Sequence, residues 1–158
     1  MKYIWSDRMD YLRNKGKRNQ ECIFCRAREN AHILYIDRDI VLMLNSYPYN
    51  TGHLLLAPLK HYENLEDIPK DVYEKLFLLL KKAIALLKKS LNPLGFNVGI
   101  NIGGEVAGAS FKHIHIHIVP RFKRDSGFME ITANTKVMPQ TLEDTYKELK
   151  KYIEVLKL

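Results

Sequence analysis

Cysteine is scarce in this chain, and long hydrophobic runs are absent from it. The 158 residues include only two cysteines, which argues against a framework of structural disulfides. No apolar run is long enough to cross a bilayer, and no signal-like segment opens the chain. Internal repeats and low-complexity tracts are also lacking. We therefore expect one α+β domain over residues 1–158, soluble, cytoplasmic and without a membrane partner.

Acidic residues are fewer than basic ones, which leaves a formal net charge of +7. This balance suggests an anionic partner such as a nucleotide, a polyphosphate or nucleic acid. Much of the excess lies between Arg8 and Arg28, a segment that overlaps an N-terminal basic arm at about residues 1–21, and on the lysines of a predicted helix. Aromatic residues do not alternate with these charges as they do in a single-strand-binding groove. Nucleic acid is therefore the less favoured partner.

Three of the six histidines alternate with isoleucines within residues 111–121. Because successive side chains of a β-strand point to opposite faces, His113, His115 and His117 are predicted to share one face. The intervening isoleucines line the other face, where a core can bury them. β-branched residues favour a strand here, and Pro120 is expected to end its pairing. Three imidazoles on one face indicate chemistry or metal binding rather than packing.

Two chemistries suit such a row. Three imidazoles can hold a catalytic zinc ion that keeps an open position for water. Alternatively, one neutral imidazole attacks phosphorus while its neighbours and backbone amides stabilise the phosphate charge. Next to the row there is no Asp or Glu to orient zinc-bound imidazoles. A glycine-bearing turn ending in Ser110 does precede it, and glycine lets backbone N–H groups surround an anion. The residues favour the phosphorus chemistry.

The two cysteines, Cys22 and Cys25, are separated by two residues. This spacing is typical of half a metal site or of a redox pair. A redox pair needs a thioredoxin-like context with an exposed helix N-terminus, whereas this pair follows a basic segment with few strand signals. We therefore favour metal. Two thiolates do not complete a tetrahedral zinc site, so histidines are expected to supply the remaining ligands.

Hydrophobic patterning outlines the remaining elements. Strands are predicted at 33–36 and 40–44, which form a hairpin, and at 53–58, 96–102 and the histidine stretch. A helix is predicted from about 69 to 91, and Thr141 is expected to cap a C-terminal helix that ends at 157. The apolar residues assigned to the core face of the long helix are Tyr73, Leu76, Phe77, Leu80, Ala83, Ile84, Leu87 and Leu91. Leu78 and Ala85 fall on its charged side and are a candidate subunit contact.

The chain resembles the histidine triad (HIT) family of nucleotide hydrolases and transferases. Residues 113–119 resemble the family's defining motif, and residues 22–25 resemble its start. Residues 44–53 are similar to its ribose-side strand and loop, and residues 95–101 with 107–110 to its phosphate-side loop. Softer similarities to the branch that cleaves diadenosine tetraphosphate lie at 119–121, 127–129 and 135–140. The resemblance implies an antiparallel sheet of about five strands, one long packing helix, a C-terminal helix and a homodimer.

The resemblance also implies individual roles. His115 would be the nucleophile on the α-phosphorus of a nucleotide or dinucleoside polyphosphate, and His117 would contact the bridging oxygen, with His53 beside them. Water or inorganic phosphate would then release the nucleotide. The implied binding residues are Asn45 for the ribose hydroxyls and Asn101, Gly108 and Ser110 for the phosphate.

A structural zinc ion is the cofactor that the resemblance implies. Its ligands would be Cys22, Cys25, His61 and His113, a closed Cys₂His₂ set that fixes the leader to the histidine strand. That set rules out the three-histidine catalytic zinc. His32 is a rival fourth ligand, but we expect it to be an ordinary surface residue.

One residue departs from the family pattern. Ala109 stands where many members have a glutamine whose amide contacts the region of the scissile bond. The leaving group thus has one donor fewer, and the tetraphosphate-cleaving branch often has a small residue here. Two alternatives to that branch remain. One is a nucleoside phosphoramidase, and the other is a zinc-stapled module that binds nucleotides or nucleic acid without cleaving them.

Overall fold

The computed structural model describes residues 2–3, 22–125, 127–133 and 135–158. Within these ranges the strands are β1 (Lys2–Tyr3), β2 (Ile33–Ile36), β3 (Ile40–Leu44), β4 (Leu54–Pro58), β5 (Gly95–Ile100), β6 (Ile116–Arg121) and β7 (Thr135–Lys136). The helices are α1 (Lys70–Leu91), α2 (Phe128–Ala133) and α3 (Leu142–Lys150). Apart from β1, the predicted basic arm lies outside the described residues. No helix in the described part of the chain is long and apolar enough to span a membrane.

Five strands form one antiparallel sheet in the order β2-β3-β4-β6-β5, and β1 pairs with β7 separately. The predicted hairpin is β2–β3. Between β4 and β6, Leu55 lies opposite His117 and Leu56 lies opposite Ile116. Residues opposed in a ladder point to the same face, so His117 shares its face with Leu55. The α+β fold expected from the sequence is confirmed.

The isoleucines of the histidine stretch belong to the main core, where α1 packs on the sheet. Ile114, Ile116 and Ile118 are at most 3% exposed and cluster with Leu79 and Leu86 of α1. The opposite face of the sheet carries a smaller apolar cluster, made of Phe24, Ala27, Val41, Met43, Leu55 and Ala57. The two-face prediction is therefore confirmed. The isoleucine side is buried under the helix, and the histidine side lies over the smaller cluster.

The histidine strand is shorter than predicted, because His113 and His115 precede β6 in irregular backbone. The Ile114 N–H donates to the backbone oxygen of Tyr62 at 2.8 Å instead of joining a ladder. The pairing with β4 ends at Ile116 for this reason. The three histidines still lie together, but strand geometry holds only His117.

The expectation that Pro120 ends the pairing is wrong, since Pro120 lies opposite Phe96 and β6 continues to Arg121. The Pro120 carbonyl accepts a hydrogen bond from the Asn50 side chain at 3.0 Å. In an extended strand the N–H and C=O of one residue point to the same side. The missing N–H of Pro120 therefore falls beyond the end of β4, where no ladder bond is lost.

The buried face of α1 differs from the predicted one. Leu79 and Leu86 are fully buried, whereas Tyr73 is 38% exposed and Phe77 is 44% exposed. A run of apolar residues from 76 to 80 covers every side of one turn, so periodicity does not determine which side faces the sheet. The C-terminal helix is also shorter than predicted, although Thr141 caps it as expected, its hydroxyl accepting from the Asp144 N–H at 3.1 Å.

Candidate active site

His53 and His117 form a hydrogen-bonded pair, with Nε2 of His53 at 3.0 Å from Nδ1 of His117. Nδ1 of His53 accepts from the backbone N–H of Tyr49 at 3.1 Å. A neutral His53 must therefore carry its proton on Nε2 and donate it to His117. Neutral His117 in turn carries its proton on Nε2. The side-chain nitrogen of Asn101 lies 3.5 Å from Nε2 and only donates, so it makes no hydrogen bond to His117 in this tautomer.

His115 is held by the backbone of the first histidine of the row. Its Nδ1 lies 2.7 Å from the carbonyl oxygen of His113. Because a carbonyl only accepts, Nδ1 carries the proton and Nε2 keeps a free lone pair. The ring packs against Phe24 and against His117, each with its centroid at 4.8 Å. A neutral imidazole with a fixed tautomer is suited to nucleophilic attack.

Burial keeps the histidine row uncharged near neutral pH. It lowers the pKa of His115. It also lowers the pKa of His117 to about 4, with the neighbouring His115 as a second cause. The pKa of His113 falls to about 4 through burial and then through His61. The environment disfavours the imidazolium form at each position, so the row presents lone pairs and N–H donors.

The residue implied for ribose binding lies next to His53. The Asn45 side-chain oxygen accepts from the Tyr47 N–H at 2.9 Å, and its nitrogen lies 3.2 Å from Nδ1 of His53. The backbone N–H of Asn45 also donates to the His53 carbonyl at 2.9 Å. The structure therefore brings Asn45 and His53 together in one half-buried loop.

The glycine-bearing turn between Asn101 and the histidine row is tightly folded. The Gly108 N–H donates to Glu105, and the Ala109 N–H donates to Gly104, each at 3.0 Å. Gly108 has a φ of +83°, a conformation that suits glycine, while a Cβ there would meet nothing within 4 Å. These two amides are used inside the turn, and Ala109 is buried. The exposed hydroxyl of Ser110 follows them.

A candidate metal centre lies beside the histidine row. One ligand atom from each of Cys22, Cys25, His61 and His113 falls within 4.8 Å of the others. The distance to His113 Nδ1 is 3.2 Å from Cys22 Sγ and 3.7 Å from Cys25 Sγ, and Cys25 Sγ lies 3.4 Å from His61 Nδ1. Tetrahedral zinc with ordinary Zn–S and Zn–N bonds separates S from N by about 3.6 Å. The four residues therefore fit zinc.

The Cys25 thiol and the imidazole of His32 also bear on metal binding at this centre. Burial, followed by Cys22, raises the pKa of the Cys25 thiol to about 11, so a bound cation would have to displace its proton. His32 is placed elsewhere, as its Nε2 lies 3.6 Å from Glu143 and its ring contacts Tyr146. His32 is therefore not part of the cluster.

The sequence analysis missed two aromatic residues of the site. Phe24, between the cysteines, is fully buried and contacts the rings of both His113 and His115. Tyr49 stacks on His117 at 5.9 Å and packs on His53 at 4.8 Å. The available signal was an aromatic residue within or beside each recognised motif. Both residues limit the movement of the imidazoles.

The fold and the neutral histidine row are those of a histidine triad protein. The family model of the HIT domain matches residues 26–124 of this sequence, and the chain therefore belongs to the HIT family.

Individual relatives add detail. The chain is 40% identical over 110 residues to an AP-4-A phosphorylase of Mycobacterium tuberculosis, covering 70% of this chain and 56% of that protein. It thus spans little more than half the length of that relative. An uncharacterised HIT-like protein of Methanocaldococcus jannaschii is 35% identical over 132 residues, covering 82% and 98% of the two chains. A zinc-bound histidine triad family protein of Mycobacterium smegmatis has a TM-score of 0.69 at 26% identity, covering 86% and 95%.

Proposed function

We propose that this chain cleaves dinucleoside polyphosphates of the diadenosine tetraphosphate type through a covalent nucleotidyl–His115 intermediate. The hydrogen bond from His115 Nδ1 to the His113 carbonyl carries the proposal, because it leaves the Nε2 lone pair available for attack on phosphorus. The lowered pKa of His115 keeps that lone pair unprotonated at neutral pH. Similarity to an AP-4-A phosphorylase supports this class of substrate.

The reaction takes place in two displacements. His115 Nε2 bonds to the α-phosphorus, and the bond from phosphorus to the bridging oxygen breaks. The nucleotide departs as an anion, and neutral His117 stabilises the charge on its bridging oxygen by a hydrogen bond from Nε2–H. Water or inorganic phosphate then attacks the nucleotidyl group, the P–N bond breaks with its electron pair returning to His115 Nε2, and the proton of the acceptor passes to solvent. Asn45 binds the ribose in this proposal, and the phosphate contacts come from Asn101 and Ser110, with Gly108 leaving open space beside the phosphate because it has no Cβ.

We also propose a structural zinc ion on the Cys22, Cys25, His61 and His113 set. Zinc bound there would supply cross-links between the segment before β2 and the approach to β6, and it would take no part in the reaction. The chain's own residues support this, because His113 turns its ring to the thiols and its carbonyl to His115. Thiolate ligands also favour a reducing compartment such as the cytoplasm.

A homodimer belongs to the same proposal. Strand β5 is an edge of the five-stranded sheet, and it exposes Val98 by 44% while the preceding Leu94 is 76% exposed. Helix α1 exposes Leu78 by 56% and Phe77 by 44%. An unpaired edge strand with apolar side chains is a natural place for a second copy. Sedimentation of the purified protein tests this assembly.

The direct test is product analysis with diadenosine tetraphosphate, with and without labelled phosphate. Hydrolysis at one end yields ATP and AMP. Phosphorolysis yields ATP and ADP, with the label in ADP. A nucleoside phosphoramidate is assayed in parallel, and preferential cleavage of its P–N bond would move the assignment to a phosphoramidase. Oligonucleotide binding that weakens steeply with salt, without cleavage of any dinucleotide, would favour the non-enzymatic module instead.

A further inference from the structure

Asn50 is a buried polar residue in the loop that carries His53. It is 5% exposed. Its side-chain nitrogen donates to the Pro120 carbonyl at 3.0 Å and to Oδ2 of Asp125 at 2.9 Å. A primary amide has two N–H donors, so both are used on groups that lie 70 and 75 residues away in the sequence. The loop is thereby tied to the end of β6.

The carboxylate of Asp125, which accepts from Asn50, is held in place by further hydrogen bonds. Arg121 donates to its two carboxylate oxygens at 2.7 and 3.1 Å, and the Phe122 N–H adds a further bond at 3.2 Å. The same guanidinium donates to the side-chain oxygen of Asn97 on β5 at 2.7 Å. A carboxylate held by a two-pronged arginine is a stronger and more directional acceptor than a neutral group. Asn50 is therefore held against a fixed point.

The tethered loop sets the orientation of His53. The backbone carbonyl of Asn50 accepts from the His53 N–H at 3.1 Å. The preceding residue, Tyr49, supplies the N–H that occupies Nδ1 of the His53 ring. If the loop moved away, that ring nitrogen would lose one of its two donors and keep only the Asn45 side-chain nitrogen at 3.2 Å, so the His53 tautomer would be fixed less firmly.

We infer that Asn50 is a positioning residue, which, anchored by Asp125, fixes the tautomers of His53 and His117. With the loop in place, Tyr49 and Asn45 together keep Nδ1 of His53 unprotonated, and His53 keeps the proton of His117 on Nε2. That is the nitrogen whose N–H donates a hydrogen bond to the leaving nucleotide, so the inference rests on the proposed function of the site. Asn50 itself touches no reacting atom.

The test compares Asn50→Ala with a matched control, Thr145→Ala. Thr145 is also buried, at 2% exposure, and its hydroxyl also lies within hydrogen-bond distance of two carbonyl oxygens, those of Thr141 and the Gln140 side chain, but it lies in α3. Long-range ¹H–¹⁵N NMR reports which ring nitrogen of each histidine is protonated. We expect single Nε2–H tautomers for His53 and His117 in the wild type and in the control, and mixed tautomers in Asn50→Ala.

Kinetics give the second readout. Asn50→Ala is expected to lower kcat about tenfold to a hundredfold and to change KM by less than about threefold, because binding contacts stay in place. Wild-type tautomers in Asn50→Ala, or a loss of kcat no larger than in Thr145→Ala, would overturn the inference. If Asn50→Ala does not fold, Asp125→Ala replaces it under the same criteria. Mixed tautomers in a protein that cleaves no dinucleotide would refute the proposed function alone and leave the tether standing.

Discussion

His113 joins the two chemical centres of the molecule, since its carbonyl oxygen lies 2.7 Å from Nδ1 of His115 while its own Nδ1 lies 3.2 Å from Cys22 Sγ. The backbone of one residue fixes the tautomer of the proposed nucleophile, and its side chain faces the thiols. A movement of His113 at the cysteine cluster would therefore also displace the carbonyl oxygen that accepts from His115.

Zinc content and stability depend on the cysteine cluster. We expect purified protein to contain about one zinc per chain and Cys22→Ser to lose it, with a clearly lower melting temperature. Elemental analysis and thermal unfolding provide the measurements. His32→Ala is the control, because His32 contacts Glu143 and lies outside the cluster. Metal-free wild type, or zinc retained in full by Cys22→Ser, would contradict the structural site.

Replacement of the proposed nucleophile, His115, separates the effect on nucleotide binding from the effect on turnover. His115→Gln is expected to lower kcat by about a thousandfold or more, since Nε2 is lost, while nucleotide affinity and the circular dichroism spectrum stay close to wild type. Turnover and equilibrium titration with a nucleotide check the two expectations. Lys75→Met serves as a control, because Lys75 pairs with Asp37 and Asp39 at the β2–β3 turn. Substantial turnover by His115→Gln would rule out the covalent route.

The free energy of unfolding should rise with pH between the pKa of His117 in the folded protein and its ordinary value. The pKa of His117 is about 4 in the folded protein, where burial lowers it, against an ordinary value of 6.5. Between these values the unfolded chain binds more protons, so stability falls as pH drops from about 6.5 to 4. One such proton contributes at most about 1.4 kcal/mol per pH unit.

Urea unfolding at several pH values measures this slope. We expect the free energy of unfolding of His117→Asn to depend less steeply on pH than that of wild type. The difference in slope corresponds to the uptake of at most one proton on unfolding. His32→Asn controls for the general loss of an imidazole, because His32 contacts Glu143 and Tyr146 and lies outside both the histidine row and the metal cluster. Equal slopes in wild type and His117→Asn would show that His117 titrates normally in the folded state.

Gly52 makes the sharp turn that precedes His53. It has a φ of +78°, and an added Cβ would lie 2.5 Å from Leu91 and 3.3 Å from both Leu87 and Pro120. Gly52→Ala is expected to cost about 1–3 kcal/mol of unfolding free energy through the strained φ and the crowding. Gly95→Ala is the matched control, because a Cβ there meets nothing within 4 Å. Equal unfolding free energies for the two variants would contradict this account.

Hydrophobic periodicity in the sequence predicted the fold, and the alternation of histidine and isoleucine predicted which face of the histidine stretch carries the imidazoles. Alternation of histidine and isoleucine placed His117 on one face and Ile116 on the other, because a pleated strand permits no other arrangement. The same pattern could not show that β6 starts at Ile116, since the hydrogen bond from Ile114 to Tyr62 depends on a distant loop. The sequence also could not show which face of α1 is buried, because apolar residues cover every side of its leucine-rich turn.

Contacts between distant segments were beyond the reach of the sequence. The Asn50–Asp125 bond joins residues 75 positions apart, and neither residue stands out by type or spacing. The position of Phe24 between the two cysteines could have marked it as a candidate site residue, but it did not show that its ring packs on His115. These contacts arise only when the sheet brings the segments together, and they set the geometry that the motifs alone leave open.

Trapping the intermediate tests the central claim most directly. Enzyme mixed with diadenosine tetraphosphate is quenched in alkali within one turnover, and its peptides are analysed by mass spectrometry. The account predicts one nucleotidyl group on the peptide that contains His115, attached to that residue and absent from His115→Gln. A nucleotidyl group on His113 or His117, or full turnover with no adduct at any time, would contradict it.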